Sequence, residues 1–337
     1  MDWKRKDNVL LGLDLIHQLS QPITHWCGGR QRTLKVNALL RFTKGFVYRK
    51  DWFYIVAVTA DLDEKDIYHA VILRWKSGQW ANWTIANRII SFCAFDGLAG
   101  VATLAMGIDG RIQVGDSAGF RWEMVDTGEE GPSNLRHLTA MRVVGRHVYV
   151  AGMARQVYCR PLLGGLWRRA DAGALVSKKS LDIEGFKAID GLNEEDLYAV
   201  GFHGQIWHCD GSRWNRLDSP TNTLMVCVQC VTPDLVFLSG SNGTVLKGNK
   251  NKWEVIHNGA TREDFWGMEY FQGTLYLSTN QGALFKLEQD EIVPVDLSLG
   301  KDVSTNWLHA NDGVLLSVGA HDLAMFDGTN WTEIAHP

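Results

Sequence analysis

Residues 196–214 read DLYAVGFHGQIWHCDGSRW, and the architecture follows from how that string divides. Leu197–Val200 is a short run of strand-forming residues. Gly201–Gly204 breaks it with glycine, which tolerates the positive φ of a tight reversal. A second apolar run follows at Gln205–His208, then the hairpin signal Asp210-Gly211 and a closing tryptophan, Trp214.

The same string recurs as DLVFLSGSNGTVLKGNKNKW (234–253), GTLYLSTNQGALFKLEQDEI (273–292) and GVLLSVGAHDLAMFDGTNW (313–331). More divergent copies occupy 100–122 and 145–167. The closing residues form a ladder, Trp83, Trp122, Trp167, Trp214, Trp253, Ile292 and Trp331, spaced by 39, 45, 47, 39, 39 and 39. A further apolar stretch precedes each copy: Ile89–Phe95, Leu138–Val144, Phe186–Ile189, Leu224–Val231, Trp266–Phe271 and Trp307–Ala310. Each unit therefore holds four meandering antiparallel strands, and one such sheet cannot bury both its faces alone. Stacking the sheets radially covers them, which is the β-propeller arrangement.

The expected fold is all-β, with seven four-stranded blades over 45–337 and a weaker first unit from about Gly45 to Ile85. Six blades plus an irregular cap is the alternative. With Trp331 on the last strand of the last blade, the ring is expected to close by packing, without exchange of a strand between the termini. The ladder side chains are expected between blades, as core.

Residues 1–44 are read as an N-terminal extension. Within it MDWKRKDNVLLGLDLIHQLS superficially copies a secretory signal, but Asp14 interrupts the apolar run and no small-residue cleavage site follows. A short amphipathic helix is the preferred reading, with Leu11, Leu15, Ile16 and Leu19 on one face, packed on the propeller. A formal charge of −4 gives no basic field for nucleic acid, and no run of apolar residues is long enough to span a membrane. The six cysteines are scattered rather than packed into a disulfide framework, so a cytoplasmic location is expected.

Several motifs that can carry chemistry also have structural readings. Cys227 and Cys230 form a CxxC inside a predicted strand, where residues three apart point to opposite faces; buried thiols are favoured over a metal or redox pair. Gly115-Asp116-Ser117-Ala118-Gly119 matches GxSxG, yet no helix follows it, so turn chemistry is favoured over a nucleophile. The acidic pairs Glu129-Glu130, Glu194-Glu195 and Glu263-Asp264 read as solvated loops. His203 and His321 occupy the same turn in two repeats; polar turn preference is favoured over ligand binding. No catalytic residue, metal site or cofactor is expected.

At the level of LYAVGFHGQIWHCDGSRW, the chain resembles a broad group of bacterial propeller repeats, VYAVGxxGxIxxxDGxxW, which overlaps the sialidase-like (BNR) and photosystem-assembly-factor-like propellers. The resemblance covers about residues 45–335 and implies fold more than activity. The sialidase pattern SxDxGxxW has no intact copy, since 119–122, 211–214 and 328–331 keep only its tail, and Trp-Asp signatures are missing.

Loops between units differ most at Asp126–Asn134, Asp171–Gly185, Asp218–Thr223, Asn258–Asp264 and Ser298–Thr305, all expected on one face. Arg88, Arg136, Lys187, Trp266 and Trp307 begin innermost strands there, and His203, Arg262, Asp264 and His321 share the rim. They read as partner-binding residues or as mere rim packing. The leading expectation is a non-catalytic recognition protein that binds another protein. The resemblance, rather than any residue, ranks a toxin-neutralising, immunity-type role ahead of an assembly or scaffold role. The alternative is a carbohydrate-binding or glycoside-processing propeller.

Overall fold

The computed structural model describes residues 39–129, 131–176, 184–300 and 302–337. The expected N-terminal helix lies outside the described residues. Within them the chain forms seven four-stranded antiparallel sheets in a ring. Blade 1 holds β1 (Leu40–Arg49), β2 (Trp52–Thr59), β3 (Ala70–Lys76) and β4 (Gln79–Ile85). Blade 2 holds β5 (Ile89–Gly97), β6 (Gly100–Gly107), β7 (Arg111–Asp116) and β8 (Gly119–Met124). Blade 3 holds β9 (Leu138–Val144), β10 (His147–Gly152), β11 (Val157–Pro161) and β12 (Arg168–Arg169). Blade 4 holds β13 (Phe186–Asn193), β14 (Asp196–Gly201), β15 (Ile206–Cys209) and β16 (Trp214–Leu217). Blade 5 holds β17 (Met225–Thr232), β18 (Leu235–Gly240), β19 (Val245–Gly248) and β20 (Trp253–Val255). Blade 6 holds β21 (Phe265–Phe271), β22 (Thr274–Thr279), β23 (Leu284–Glu288) and β24 (Glu291–Pro294). Blade 7 holds β25 (Trp307–Asn311), β26 (Val314–Val318), β27 (Leu323–Phe326) and β28 (Trp331–Glu333).

The second strands explain why the sheets stack. In β14, Leu197, Tyr198, Ala199 and Val200 are all buried, so both faces of the strand are covered by neighbouring blades. Burial of each such large apolar side chain contributes about 1.5–3 kcal/mol. The first strand begins at Leu40: Leu40 and Phe42 are buried while Arg41 is exposed, and a register shift lies between Phe42 and Lys44. That polar interruption hides the strand's start from a reading by apolar runs.

Ring closure follows the expected form. Blade 1 is built wholly from the N-terminal repeat and blade 7 wholly from the C-terminal one, and β25 packs against β1. Side chains tie the junction: the Val47 N–H donates to His309 Nδ1 (3.1 Å), Trp307 Nε1 donates to the Gly45 carbonyl (3.1 Å), and Asn311 Nδ2 donates to the Tyr48 carbonyl (2.9 Å). Other junctions use the same device. Arg142 Nε donates to Asp190 Oδ1 (2.8 Å), whose second oxygen accepts the Cys230 N–H (2.8 Å).

The ladder behaves as core only in part. Trp214, Trp253 and Ile292 are buried, at 1%, 7% and 4% exposure. Trp83, Trp167 and Trp331 are half-buried, and Trp122 is 48% exposed. On the outer wall between blades 1 and 2, Phe120 packs on Trp83 with ring centroids 5.4 Å apart yet is itself 53% exposed. Trp122, two residues further along β8, is exposed on the same strand.

Candidate functional site

All seven first strands start at one end of the ring, where the inter-blade connections and the second-to-third-strand turns lie; we term this the loop face. The opposite end carries tight hairpins such as Pro233-Asp234 and Gln272-Gly273. The connections on the loop face differ widely, from 86–88 between blades 1 and 2 to 125–137 and 170–185 around blade 3.

The turns on this face are rigid for local reasons. His203 and Asn242 hold the left-handed conformation (φ 57° for each), followed by Gly204 and Gly243 at φ 64° and 66°. A Cβ on Gly204 would meet the Thr221 carbonyl oxygen at 2.0 Å, and one on Gly243 would meet that of Thr261 at 2.5 Å. Each turn is thus locked against the connection that follows its blade. Asn258 Nδ2 donates to the Gly243 carbonyl (2.8 Å), and Asp264 Oδ1 accepts the Asn242 N–H (2.9 Å).

Against this frame the nine candidate residues separate. Arg88 is exposed, 5.7 Å from the Tyr68 ring, beside a hollow lined by Asp63, Asp66 and His69. Arg136, Arg262 and His203 are exposed, and Trp266 is 55% exposed. Lys187 is half-buried over the Phe202 ring (5.2 Å), and burial lowers its pKa. Asp264 spends its carboxylate on the blade 5 turn. Trp307 is half-buried at the ring junction beneath Lys44 Nζ (3.6 Å). His321 Nδ1 meets the Leu40 carbonyl (2.8 Å). Asp264, Trp307 and His321 therefore also hold the fold together.

Two groups emerge. Arg136, His137 and Lys187 gather at the rim of blades 3 and 4, where His137 is kept below the usual histidine range by burial and then by the charges of Lys187 and Arg136. Phe202 and His203 adjoin them. Arg136 itself stands at φ 104°, ψ 170°, a region otherwise occupied by glycine and costing on the order of 1–3 kcal/mol. Its carbonyl is gripped by Gln156 Nε2 (3.0 Å), and the fully buried Gln156 also accepts from the Tyr158 hydroxyl (3.1 Å). The second group is Arg262, in the connection before blade 6, and Trp266 in β21, whose carbonyl accepts the Cys227 thiol (3.3 Å).

A further set of ionisable groups stands on the first strands. Arg142, Asp190, Glu269 and His309 stand on the first strands of blades 3, 4, 6 and 7; Asp190 pairs with Arg142 (2.8 Å), and the Arg142 charge also acts on Glu269 and His309. Asp190 is the largest cause of the raised Arg142 pKa. Burial pushes the Glu269 carboxyl up to about 8, against the opposing pull of Arg142. Burial, then the Arg142 charge, takes His309 down to about 3. Nearer the loop face Lys44 is lowered to about 8 by burial, with Cys227 opposing. The sequence signal was a charge inside an apolar first strand, as in LTAMRVV and FWGMEYF.

The motif readings resolve structurally. The Cys227 thiol points to blade 6, while Cys230 faces Asp190 in blade 4, so the pair diverges. Ser117 sits in the two-residue hairpin between β7 and β8, closed by the pair Asp116 and Gly119. Among the described residues, no three His, Cys, Asp or Glu side chains are grouped to hold a metal ion, and no helix is long and apolar enough to cross a membrane.

No protein-family model matches the chain. It is 29% identical over 309 residues to Immune protein Tsi7 of Pseudomonas aeruginosa, covering 89% of this chain and 99% of that protein. Among solved structures, the WD40 β-propeller domain of Doa1 superposes with a TM-score of 0.63 at 9% identity, over 88% of this chain and 94% of that one. YCF48 from Cyanidioschyzon merolae gives 0.60 at 10% identity, over 87% and 97%. These likenesses show the propeller fold. None of the three supports the carbohydrate-processing alternative.

Proposed function

We propose that this chain is a non-catalytic recognition protein that neutralises a protein toxin by binding it through the loop face. The observation that carries the reading is the co-linear match to Immune protein Tsi7 across nearly the whole of both chains. A propeller suits the task physically. Its loop-face turns are locked by backbone contacts and by glycines that admit no side chain, so little ordering entropy is lost on docking. Exposed arginine and tryptophan on such a frame are the residue types that anchor protein interfaces.

In this reading the Arg136, Lys187 and His203 rim and the Arg262 and Trp266 rim make the contacts, with Arg88 at the edge. Asp264, Trp307 and His321 contribute chiefly by holding loops in place. The action is placed in the cytoplasm, and the repeats resemble a bacterial propeller group whose pattern overlaps that of sialidase-like propellers. An assembly or scaffold role would use the same surface.

The test has two steps. Tagged protein is used to capture its partner from the native cell, identified by mass spectrometry, and the partner is then expressed with and without this chain in a growth assay. Growth arrest relieved by co-expression is the expected result. Capture of a harmless complex subunit would replace the neutralising role with the scaffold one, and capture of no polypeptide would overturn both.

A further inference from the structure

The fourth strand of blade 2 leaves all six of its residues, Gly119 to Met124, unburied. The fourth strands β12, β20 and β28 hold only two or three residues each. Among the described residues, β8 has one sheet neighbour, β7. Val125, just beyond, donates its N–H back to the Gly110 carbonyl (3.1 Å). Peptide groups alternate sides along a strand, so those of Arg121 and Glu123 also face β7. Those of Phe120, Trp122 and Met124 face outward, as an open hydrogen-bonding edge.

The strand reads Phe-Arg-Trp-Glu-Met about Trp122, which is complementary to its own reverse. We propose that β8 is a self-recognition edge, at which two copies of this chain pair β8 to β8, antiparallel, about a two-fold axis through Trp122. In that register Phe120 faces the partner's Met124, and the two Trp122 side chains meet at the axis. Arg121 faces the partner's Glu123 on the other side of the sheet, giving apolar and opposite-charge cross-strand pairs. The register is specified as well. A slip of two residues preserves the hydrogen bonding but sets Arg121 against Arg121 or Glu123 against Glu123, and like charges directly opposite are destabilising.

Within one copy Arg121 pairs with Asp116 and, at 3.6 Å, with Glu123, which also accepts Trp167 Nε1 (3.1 Å) and pairs with the buried Arg160 (3.0 Å). Pairing of two copies therefore shares Arg121 between its own Glu123 and the partner's. The pairing lies on the outer wall of the ring, so the loop face stays open in the dimer.

The full chain is examined by sedimentation equilibrium from about 1 to 100 μM, because an edge of this size sits at the small end of specific interfaces. A monomer–dimer equilibrium is expected for the wild type. Trp122→Lys sets two cations at the axis, and Arg121→Glu sets like charges opposite one another; each weakens association at least about tenfold. Both side chains are exposed, and thermal midpoints matching the wild type's at a concentration where all are monomeric verify that the variants fold. A wild type that stays monomeric throughout overturns the proposal. Undiminished association of either variant does the same.

Discussion

Arg136 offers the sharpest test of the loop face, because its backbone and its side chain make separate predictions. Its φ of 104° with ψ of 170° stores about 1–3 kcal/mol that glycine does not incur. Glycine in turn gives up about 0.5–1 kcal/mol in backbone entropy on folding. The side chain is exposed, so its removal sacrifices no core packing. Arg136→Gly is therefore expected to stabilise the protein by on the order of 1 kcal/mol, or about 1–2 °C in Tm for a chain of this length. Arg136→Ala keeps the strain and should fall within about 0.5 kcal/mol of wild type. Affinity for the captured partner should behave differently, falling about tenfold or more in both variants if the guanidinium is an anchor. Thermal unfolding followed by circular dichroism, paired with calorimetric titration of the partner, reads both quantities. If Arg136→Gly melts at or below Arg136→Ala, the strain argument fails. If both bind as wild type does, the side chain is no anchor.

Other consequences follow from the core. Glu269 has its pKa raised from 4.5 to about 8, so the folded state holds a proton that the unfolded state releases. Its stabilising contribution is complete below about pH 4.5 and is lost as pH rises through about 8. Chemical denaturation across that window should show a decline that Glu269→Gln flattens, and an equal slope in both proteins would contradict the assignment. His309 is lowered from 6.5 to about 3, so its contribution is complete above about pH 6.5 and is lost as pH falls through about 3. Trp214→Ala removes a buried ring and its Nε1 donation to the Ala170 carbonyl (2.7 Å); differential scanning calorimetry should show a loss of about 3–5 kcal/mol. Trp122→Ala, measured in dilute solution, should change stability by less than about 0.5 kcal/mol. Treatment of the folded protein with diamide should leave Cys227 and Cys230 unlinked to each other, as mapped by mass spectrometry, because their thiols face different blades.

The repeat made the blades legible because each second strand is covered on both sides and so reads as an unbroken apolar run. Charge, in contrast, hid two features. Arg41 and Lys44 mask the start of β1, which an apolar-run reading places later. Arg142, Asp190 and Glu269 stand on three different blades, and only ring closure brings them within reach of one another. The ladder was a dependable marker of period and a poor marker of burial, since a tryptophan's environment depends on the neighbouring blade. Trp214 is enclosed between blades 3 and 4, whereas Trp122 lies on a fourth strand with no buried residue. The loop face could be located from the breaks in the period. The exposure of Trp266, the strain at Arg136 and the structural engagement of Asp264, Trp307 and His321 needed three-dimensional contacts.

The central claim is that the loop face holds a protein partner, and a comparison of the two faces tests it most directly. The captured partner is titrated against wild type, against Trp266→Ala combined with Arg136→Glu, and against Asp234→Lys on the hairpin face. The account predicts a loss of about a hundredfold or more for the double variant with no change for Asp234→Lys, all three proteins melting within a few degrees of one another. Wild-type affinity in the double variant, or loss only in Asp234→Lys, would contradict it.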